Sequence, residues 1–282
     1  MIVKTRGFTL IELLVVISII GMLSAVVLAS IQSVRDKARV GVGQSFSGQV
    51  YRSTGDMAVG MWDFNQGSGN AIDGSIYGNN GTMTAGATYN TITPNGSGYS
   101  ILFNGTTGVI DVPYSSRLAP TGAVTFSAWI RPANITSGQH MTIVSKTQGG
   151  GYQLSLNEPS YCPNAICALV HVGGYHAVSY PLSGIAINKW YHILATYDGD
   201  ILSLYLDGKR VATNATPSGS ISYSVNNSIC IGGEPNITCT EGVYFSGHID
   251  DVRVYAKALT ASEAGKLYAE TAPKYIFARI YP

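Results

Sequence analysis

The sequence predicts an all-β, two-sheet sandwich preceded by a long N-terminal membrane-spanning α-helix. Three observations carry this reading. Residues 8–31 are almost purely apolar and exceed the roughly 20 residues a helix needs to cross a bilayer. From Asp56 onward the apolar pattern changes from helical spacing to strict alternation. The composition suits many short strands: 33 glycines, 18 tyrosines and only 12% charged residues, about half the usual fraction of about 25%. The predicted boundaries are a leader at 1–7, a transmembrane and assembly helix at 8–55, a β domain at 56–270 and a tail at 271–282.

The leader is short and basic, with Lys4 and Arg6, and ends at Gly7. The apolar stretch that follows contains one charge, Glu12. A carboxylate in hydrocarbon is costly and asks for a functional partner. A secretory signal peptide has a shorter apolar core, and a charge inside it argues against that reading even though Ala25, Ala29 and Ser30 imitate a cleavage site. A plain signal anchor explains the length but not Glu12. Beyond the membrane, Val34, Ala38, Val42, Phe46 and Val50 recur every fourth residue, which continues one apolar stripe to about residue 50. Gly41, Gly43 and Gly48 weaken that helix.

In the β domain, VTFSAWIRP places Val124, Phe126, Ala128 and Ile130 on one face. WYHILATYD does the same with Tyr191, Ile193, Ala195 and Tyr197, and ILSLYLDG with Leu202, Leu204 and Leu206. Asn104-Gly105, Asp198-Gly199 and Asp207-Gly208 read as turns between such strands. A short helix closes the domain in LTASEAGKLYAE, where Thr260 and Glu263 have the spacing of a capping box.

The four cysteines form two close pairs without zinc-knuckle spacing. In an exported chain, local disulfides Cys162–Cys167 and Cys230–Cys239 are favoured over four free thiols. The net charge is +1, and loss of Lys4 and Arg6 with the leader takes it to −1. No basic face suits nucleic acid. No strand carries the i, i+2 carboxylates of a retaining glycanase. Asp198 and Asp200 straddle a turn glycine, and adjacent Asp250 and Asp251 are expected on opposite faces. There is no GxSxG, HExxH or phosphate-binding glycine loop, and the five histidines have no ligand partners at metal spacing, so with the carboxylate pair missing the chain is not read as an enzyme. Tyr152, Tyr161, Tyr175, Tyr180 and Trp129 are candidates for a sugar-stacking platform, with packing as the competing role. The N-x-S/T triplets at Asn80, Asn104, Asn134, Asn214, Asn226 and Asn236 look like glycosylation sequons but are read as composition.

The segment RGFTLIELLVVISIIGML resembles the type IV prepilin and pseudopilin family. The resemblance implies cleavage by prepilin peptidase between Gly7 and Phe8 and N-methylation of Phe8. It implies that Glu12, fifth after the cut, neutralises the Phe8 amine of a neighbouring subunit in the assembled filament. The partners implied are the peptidase, other pilin or pseudopilin subunits and, before assembly, the bacterial inner membrane. No proline interrupts the segment, which is nearer the pseudopilin and minor-pilin pattern.

Residues 58–269 resemble the laminin-G-like, concanavalin-A-like jelly roll. The resemblance rests on WDFNQGSGNAIDGSIYGNNGTM, SILFNGTTGVIDVP, VTFSAWIRP, WYHILATYDGDILSLYLDGKRVA, ICIGG and FSGHIDDVRVYAKALTASEAGKLY. It implies a structural calcium ion shared between the loop of Asp73, Asn79 and Asn80 and the strand of Asp250, although DGSIYGNN departs from the family's usual loop. The competing role for Asp73 is turn capping, and for Asp250 and Asp251 the satisfaction of loop amides or pairing with Arg253. The function implied is a pilin-like subunit carrying an adhesive or glycan-binding domain outside the membrane. The alternative is a structural pseudopilin of a secretion or DNA-uptake machine; an envelope glycanase is disfavoured by the missing carboxylate pair.

Overall fold

A computed structural model describes residues 10–11, 13–20, 58–136 and 138–272. The chain divides into two units, Met1–Gln49 and Val50–Pro282, and each is taken by itself. In the first, residues 10–11 and 13–20 are helical and their large apolar side chains are exposed, Leu10 by 80% and Ile11 by 73%. Among the described residues no helix is long and apolar enough to cross a membrane. Gly7, Phe8, Glu12 and the expected helix end near residue 50 lie outside the described residues.

The second unit is a sandwich of antiparallel strands. Its first half holds β1 (Ala58–Trp62), β2 (Thr82–Met83), β3 (Ala87–Asn90), β4 (Ser100–Asn104), β5 (Ile110–Val112), β6 (Val124–Pro132), β7 (Met141–Lys146) and β8 (Tyr152–Glu158). Its second half holds β9 (Cys162–His171), β10 (Tyr175–Pro181), β11 (Tyr191–Tyr197), β12 (Leu202–Leu206), β13 (Lys209–Asn214), β14 (Ile229–Ile231), β15 (Glu234–Asn236), β16 (Thr238–Glu241), β17 (Ser246–Tyr255) and the helix α1 (Ala261–Thr271). One sheet runs β13-β12-β11-β6-β17-β4-β3, and the other β10-β9-β8-β7-β14-β5-β2.

The alternation read from sequence selects the core. Val124, Phe126, Ala128 and Ile130 of β6 and Tyr191, Ile193, Ala195 and Tyr197 of β11 all lie in the layer between the sheets. Leu202 and Leu204 of β12 are fully buried there, and Leu206 packs at its margin. Asp207 and Gly208 form the two-residue turn between β12 and β13, with φ of 49° and 75°. Positive φ at both positions is the signature of a type I′ hairpin, which Asp-Gly adopts at low cost.

β17 pairs β6 along most of its length, β4 through Ser246–Ile249, and β1 through Val252–Tyr255. A register shift between Asp250 and Arg253 interrupts its ladder with β6, and Asp251 sits there at φ 45°. On the outer side of this sheet, Leu259, Ala264 and Leu267 pack against Leu194, Tyr205 and Tyr255, which seats α1 on the sheet. The capping box is present: Glu263 N donates to Thr260 Oγ1 (3.2 Å) and Thr260 N to Glu263 Oε2 (2.7 Å). It fixes where α1 starts.

Both expected disulfides are formed, Cys162–Cys167 and Cys230–Cys239. Cys167 and Cys230 alternate with core residues, so both bridges lie on the outer side of the second sheet. Next to the first, Tyr161 at the β8–β9 tip meets Tyr175 edge-on, with ring centroids 5.9 Å apart. The sequon-like triplets have a local structural role. In Asn134-Ile-Thr136 and Asn214-Ala-Thr216, the Asn Oδ1 accepts from both the backbone N–H and the hydroxyl two residues on. These are Asx turns, which favour this residue order.

Candidate functional site

The bulge in β17 creates a cavity of 210 Å³ on the outer side of the first sheet. Asp250, Asp251 and Arg253 come from the bulged strand, and Trp129 from β6, where it lies directly opposite Asp250. Glu270 and Thr271 reach the cavity from the last turn of α1, Asp63 and Asn65 from the chain after β1, and Asn95 and Ser97 from the turn before β4. In a regular strand the adjacent Asp250 and Asp251 would face opposite sides. The left-handed backbone at Asp251 cancels that alternation, so both line one cavity, which corrects the expectation from sequence.

Several of these groups are anchored. Arg253 Nε donates to Asp251 Oδ1 at 2.7 Å. Trp129 Nε1 donates to Thr271 Oγ1 at 2.7 Å, and its ring stacks on Tyr268. His192 packs against both rings, and burial lowers its pKa to about 3, so it is neutral. Asn65 N donates to Asp63 Oδ1, and Asn65 Oδ1 accepts from Tyr99 N. Asn95 Oδ1 accepts from Ser97 N and Oγ.

The carboxyl groups are less well served. Asp250 is 7% exposed, and among the described residues its Oδ1 accepts from the Asp251 N–H at 2.8 Å. Asp251 Oδ2 and Glu270 Oε1 are buried without a hydrogen-bond partner. Burial, reinforced by the Asp251 carboxylate and then by Asp63, pushes Asp250 up to about 9, against the Asp251 N–H and Arg253. Burial likewise pushes Glu270 up to about 7; Arg253 and Lys266 oppose the rise and Asp251 adds to it.

The expected calcium ligands separate. Asp73 Oδ1 accepts from Met61 N and Ser75 N, and Oδ2 from Ser75 Oγ and Asn79 N, at 2.7–2.9 Å. Asn80 Oδ1 accepts from Asp73 N, while Asn79 Nδ2 donates to Val59 O. An ionised carboxylate has about four acceptor positions, and all four of Asp73's are filled. Asp73 does not line the Asp250 cavity. Among the described residues, no three of His, Cys, Asp and Glu are grouped to hold a metal ion. The residues present therefore do not fit a calcium ion shared by Asp73 and Asp250, and Asp73 takes the turn-capping role.

The aromatic candidates divide as well. Tyr152 is fully buried, with its hydroxyl on Leu118 O, and Tyr180 packs at the core margin. Tyr161 and Tyr175 meet at the far sheet, and Trp129 alone of the five lines the cavity. Asp63, Asp251, Arg253 and Glu270 were not foreseen as one group, because neither a bulge nor the seating of a helix appears in residue spacing.

Residues 104–265, more than half of the chain, match the family model described as the concanavalin A-like lectin/glucanases superfamily. The chain belongs to this superfamily. Residues 3–28 match a second model, the prokaryotic N-terminal methylation motif. The superfamily domain is thus joined to a type IV pilin-like N-terminus. Comparison with curated proteins finds no match. Among solved structures, the chain is similar to the binding domain of Paraclostridial Mosquitocidal Protein 1 (18% identity, TM-score 0.60, covering 76% of this chain and 52% of that one). It is also similar to the botulinum neurotoxin serotype D ligand binding domain in complex with N-acetylneuraminic acid (16%, 0.60, 78% and 52%) and to the serotype G binding domain (21%, 0.57, 75% and 50%). The chain spans about half the length of these structures, and at such identities the likeness is one of jelly-roll fold.

Proposed function

We propose that the protein is a subunit of a type IV pilus or pseudopilus, cut between Gly7 and Phe8 by prepilin peptidase, whose jelly roll binds carbohydrate outside the membrane. The observation that carries the assembly half is the methylation-motif match over residues 3–28, with Glu12 five residues past Gly7. The apolar side chains exposed along residues 10–20 support it, since a long apolar face needs lipid or neighbouring helices to cover it. The binding half is supported by the superfamily and by the cavity at Asp250. Carboxylate, amide and hydroxyl groups around an indole are the mixture that recognises a ring bearing hydroxyls. A pseudopilin of a secretion or uptake machine is the second reading, favoured by the absence of proline from residues 8–31.

Replacing Glu12 by Leu tests assembly against simple anchoring. Removing the charge makes a better membrane segment but leaves a neighbouring Phe8 amine unpaired, a loss of several kcal/mol. The variant is expected to be cleaved, to stay in the membrane and to be missing from sheared surface fractions on immunoblots. Equal surface display of both proteins would refute an assembly role. For the binding half, the full-length protein on a glycan array is expected to capture at least one glycan class and to release no reducing sugar from it.

A further inference from the structure

Resting on the carbohydrate-binding reading above, we infer that the outer face of the first sheet at Arg131, Trp190 and His248 takes the carboxylate of an acidic saccharide. Strand register puts the three side chains next to one another. His248 of β17 lies opposite Arg131 of β6. Tyr191 of β11 lies opposite Ile130, so Trp190 falls beside Arg131 on its other flank. The chain neighbours Ile130, Tyr191 and Ile249 point into the core, which turns Arg131, Trp190 and His248 outward. The Trp190 and His248 rings lean together over the strand between them, with centroids 6.0 Å apart. Burial, and then the Arg131 charge, lower the His248 pKa to about 4, so this ring is neutral.

Two groups in this patch are unspent and open. The first is the Arg131 cation. Arg131 is half-buried, and the ion pairs among the described residues are Arg253–Asp251 and Lys257–Glu263, so it has no carboxylate of its own. Asp250, two residues along β17 on the same face, is pushed up to about 9 chiefly by burial and stays protonated at neutral pH, so it does not supply the missing charge. The second is His248 Nε2. Ser100 Oγ donates its one proton to Ile92 O at 2.7 Å, so its 3.2 Å bond with His248 Nδ1 is donated by the ring. Nε2 is therefore the acceptor nitrogen. It has no hydrogen bond among the described residues and is not closed off from solvent. A guanidinium binds a carboxylate through two parallel N–H bonds, and an unpaired cation makes a negative group favourable there. A neutral imidazole nitrogen accepts from a hydroxyl, and the half-buried indole offers a flat apolar surface to a pyranose. Carboxylate, hydroxyl and ring together describe a sugar acid. Trp129 and Asp250 of the neighbouring cavity stand two residues along the same strands, about 7 Å away, so an oligosaccharide spans both.

Isothermal titration calorimetry on the full-length protein in detergent micelles tests this with three probes: trigalacturonic acid, its methyl triester and the peptide triglutamate. Trigalacturonic acid is expected to bind at least tenfold tighter than either of the others. Arg131→Gln is expected to weaken trigalacturonic acid at least tenfold and to leave the triester within about twofold. Arg131→Lys, which keeps the charge but not the paired N–H bonds, should fall between Arg131→Gln and the parent. Trp190→Ala should weaken both sugars, and the circular dichroism of each variant should match that of the parent. Equal affinity for acid and triester would overturn the carboxylate, and equal affinity for triglutamate would overturn the sugar. Unchanged binding of trigalacturonic acid by folded Arg131→Gln or, should that variant not fold, by Arg131→Lys would overturn the site. A glycan array that captures neutral glycans alone would overturn this inference, whereas an empty array would overturn the carbohydrate-binding reading beneath it.

Discussion

Asp73 and Asp250 are both buried carboxylates, 6% and 7% exposed, in the same sandwich. Their surroundings differ in one respect. Asp73 accepts four hydrogen bonds from its own turn and from Met61 N. Among the described residues Asp250 accepts one, and it shares its cavity with three more carboxyl groups. Burial alone therefore says little about role. A carboxylate saturated by backbone donors is part of the scaffold, whereas one left short of donors weakens the scaffold. The jelly roll keeps the two apart: the first organises the turn between β1 and β2, and the second stands where β17 breaks its ladder.

The largest expected effect comes from removing the saturated carboxylate. Asp73→Ala strands the N–H groups of Met61, Ser75 and Asn79 and should cost about 3–5 kcal/mol in chemical denaturation of the full-length protein. A cost under about 1 kcal/mol would erase the contrast. A smaller loss, about 1–2 kcal/mol, is expected for Asn80→Ala, which removes the acceptor of the Asp73 N–H at the edge of the same turn. The smallest effect concerns calcium. Because Asp73 has no open acceptor position, melting temperature should be the same within about 1 °C in calcium and in chelator. By linkage, a site occupied at a hundredfold excess over Kd would add about 2.7 kcal/mol. A calcium-dependent rise abolished by Asp73→Ala would restore the shared metal site.

Most of the sandwich was legible in the residues. Strict alternation in β6 and β11 named their core faces, Asp207-Gly208 named a hairpin, and Thr260 with Glu263 named the start of α1. These signals are local, with the geometry set within a few residues. The cavity was not legible, because it depends on distant coincidences. Alternation placed Asp250 and Asp251 on opposite faces, and one left-handed residue reversed that. Glu270 joins them only because Leu267 and Ala264 seat α1 over this sheet. The shared calcium ligands do not fit for the opposite reason: the acidic loop is complete in itself, with all four acceptor positions of Asp73 filled. The N-terminal assignments at Gly7, Phe8 and Glu12 rest on sequence and on the motif match.

The central claim is that Asp250 is held against its own stability. In the folded chain its pKa is pushed up to about 9 by burial, then by Asp251 and Asp63; unfolded, it returns to about 3.8. Between these values the folded state holds one more proton than the unfolded state, so this group's contribution falls as pH rises from about 4 to about 9. Asp250→Asn removes that slope while keeping the shape. The groups facing position 250, namely Asp63, Asp251, Arg253 and Glu270, remain in both proteins. Chemical denaturation of wild type and Asp250→Asn at pH 5, 6.5 and 8 measures the difference directly. The variant should be the more stable protein, by about 1–3 kcal/mol at pH 8 and by less at pH 5. A variant less stable than wild type throughout, or a difference that does not change with pH, would contradict the account.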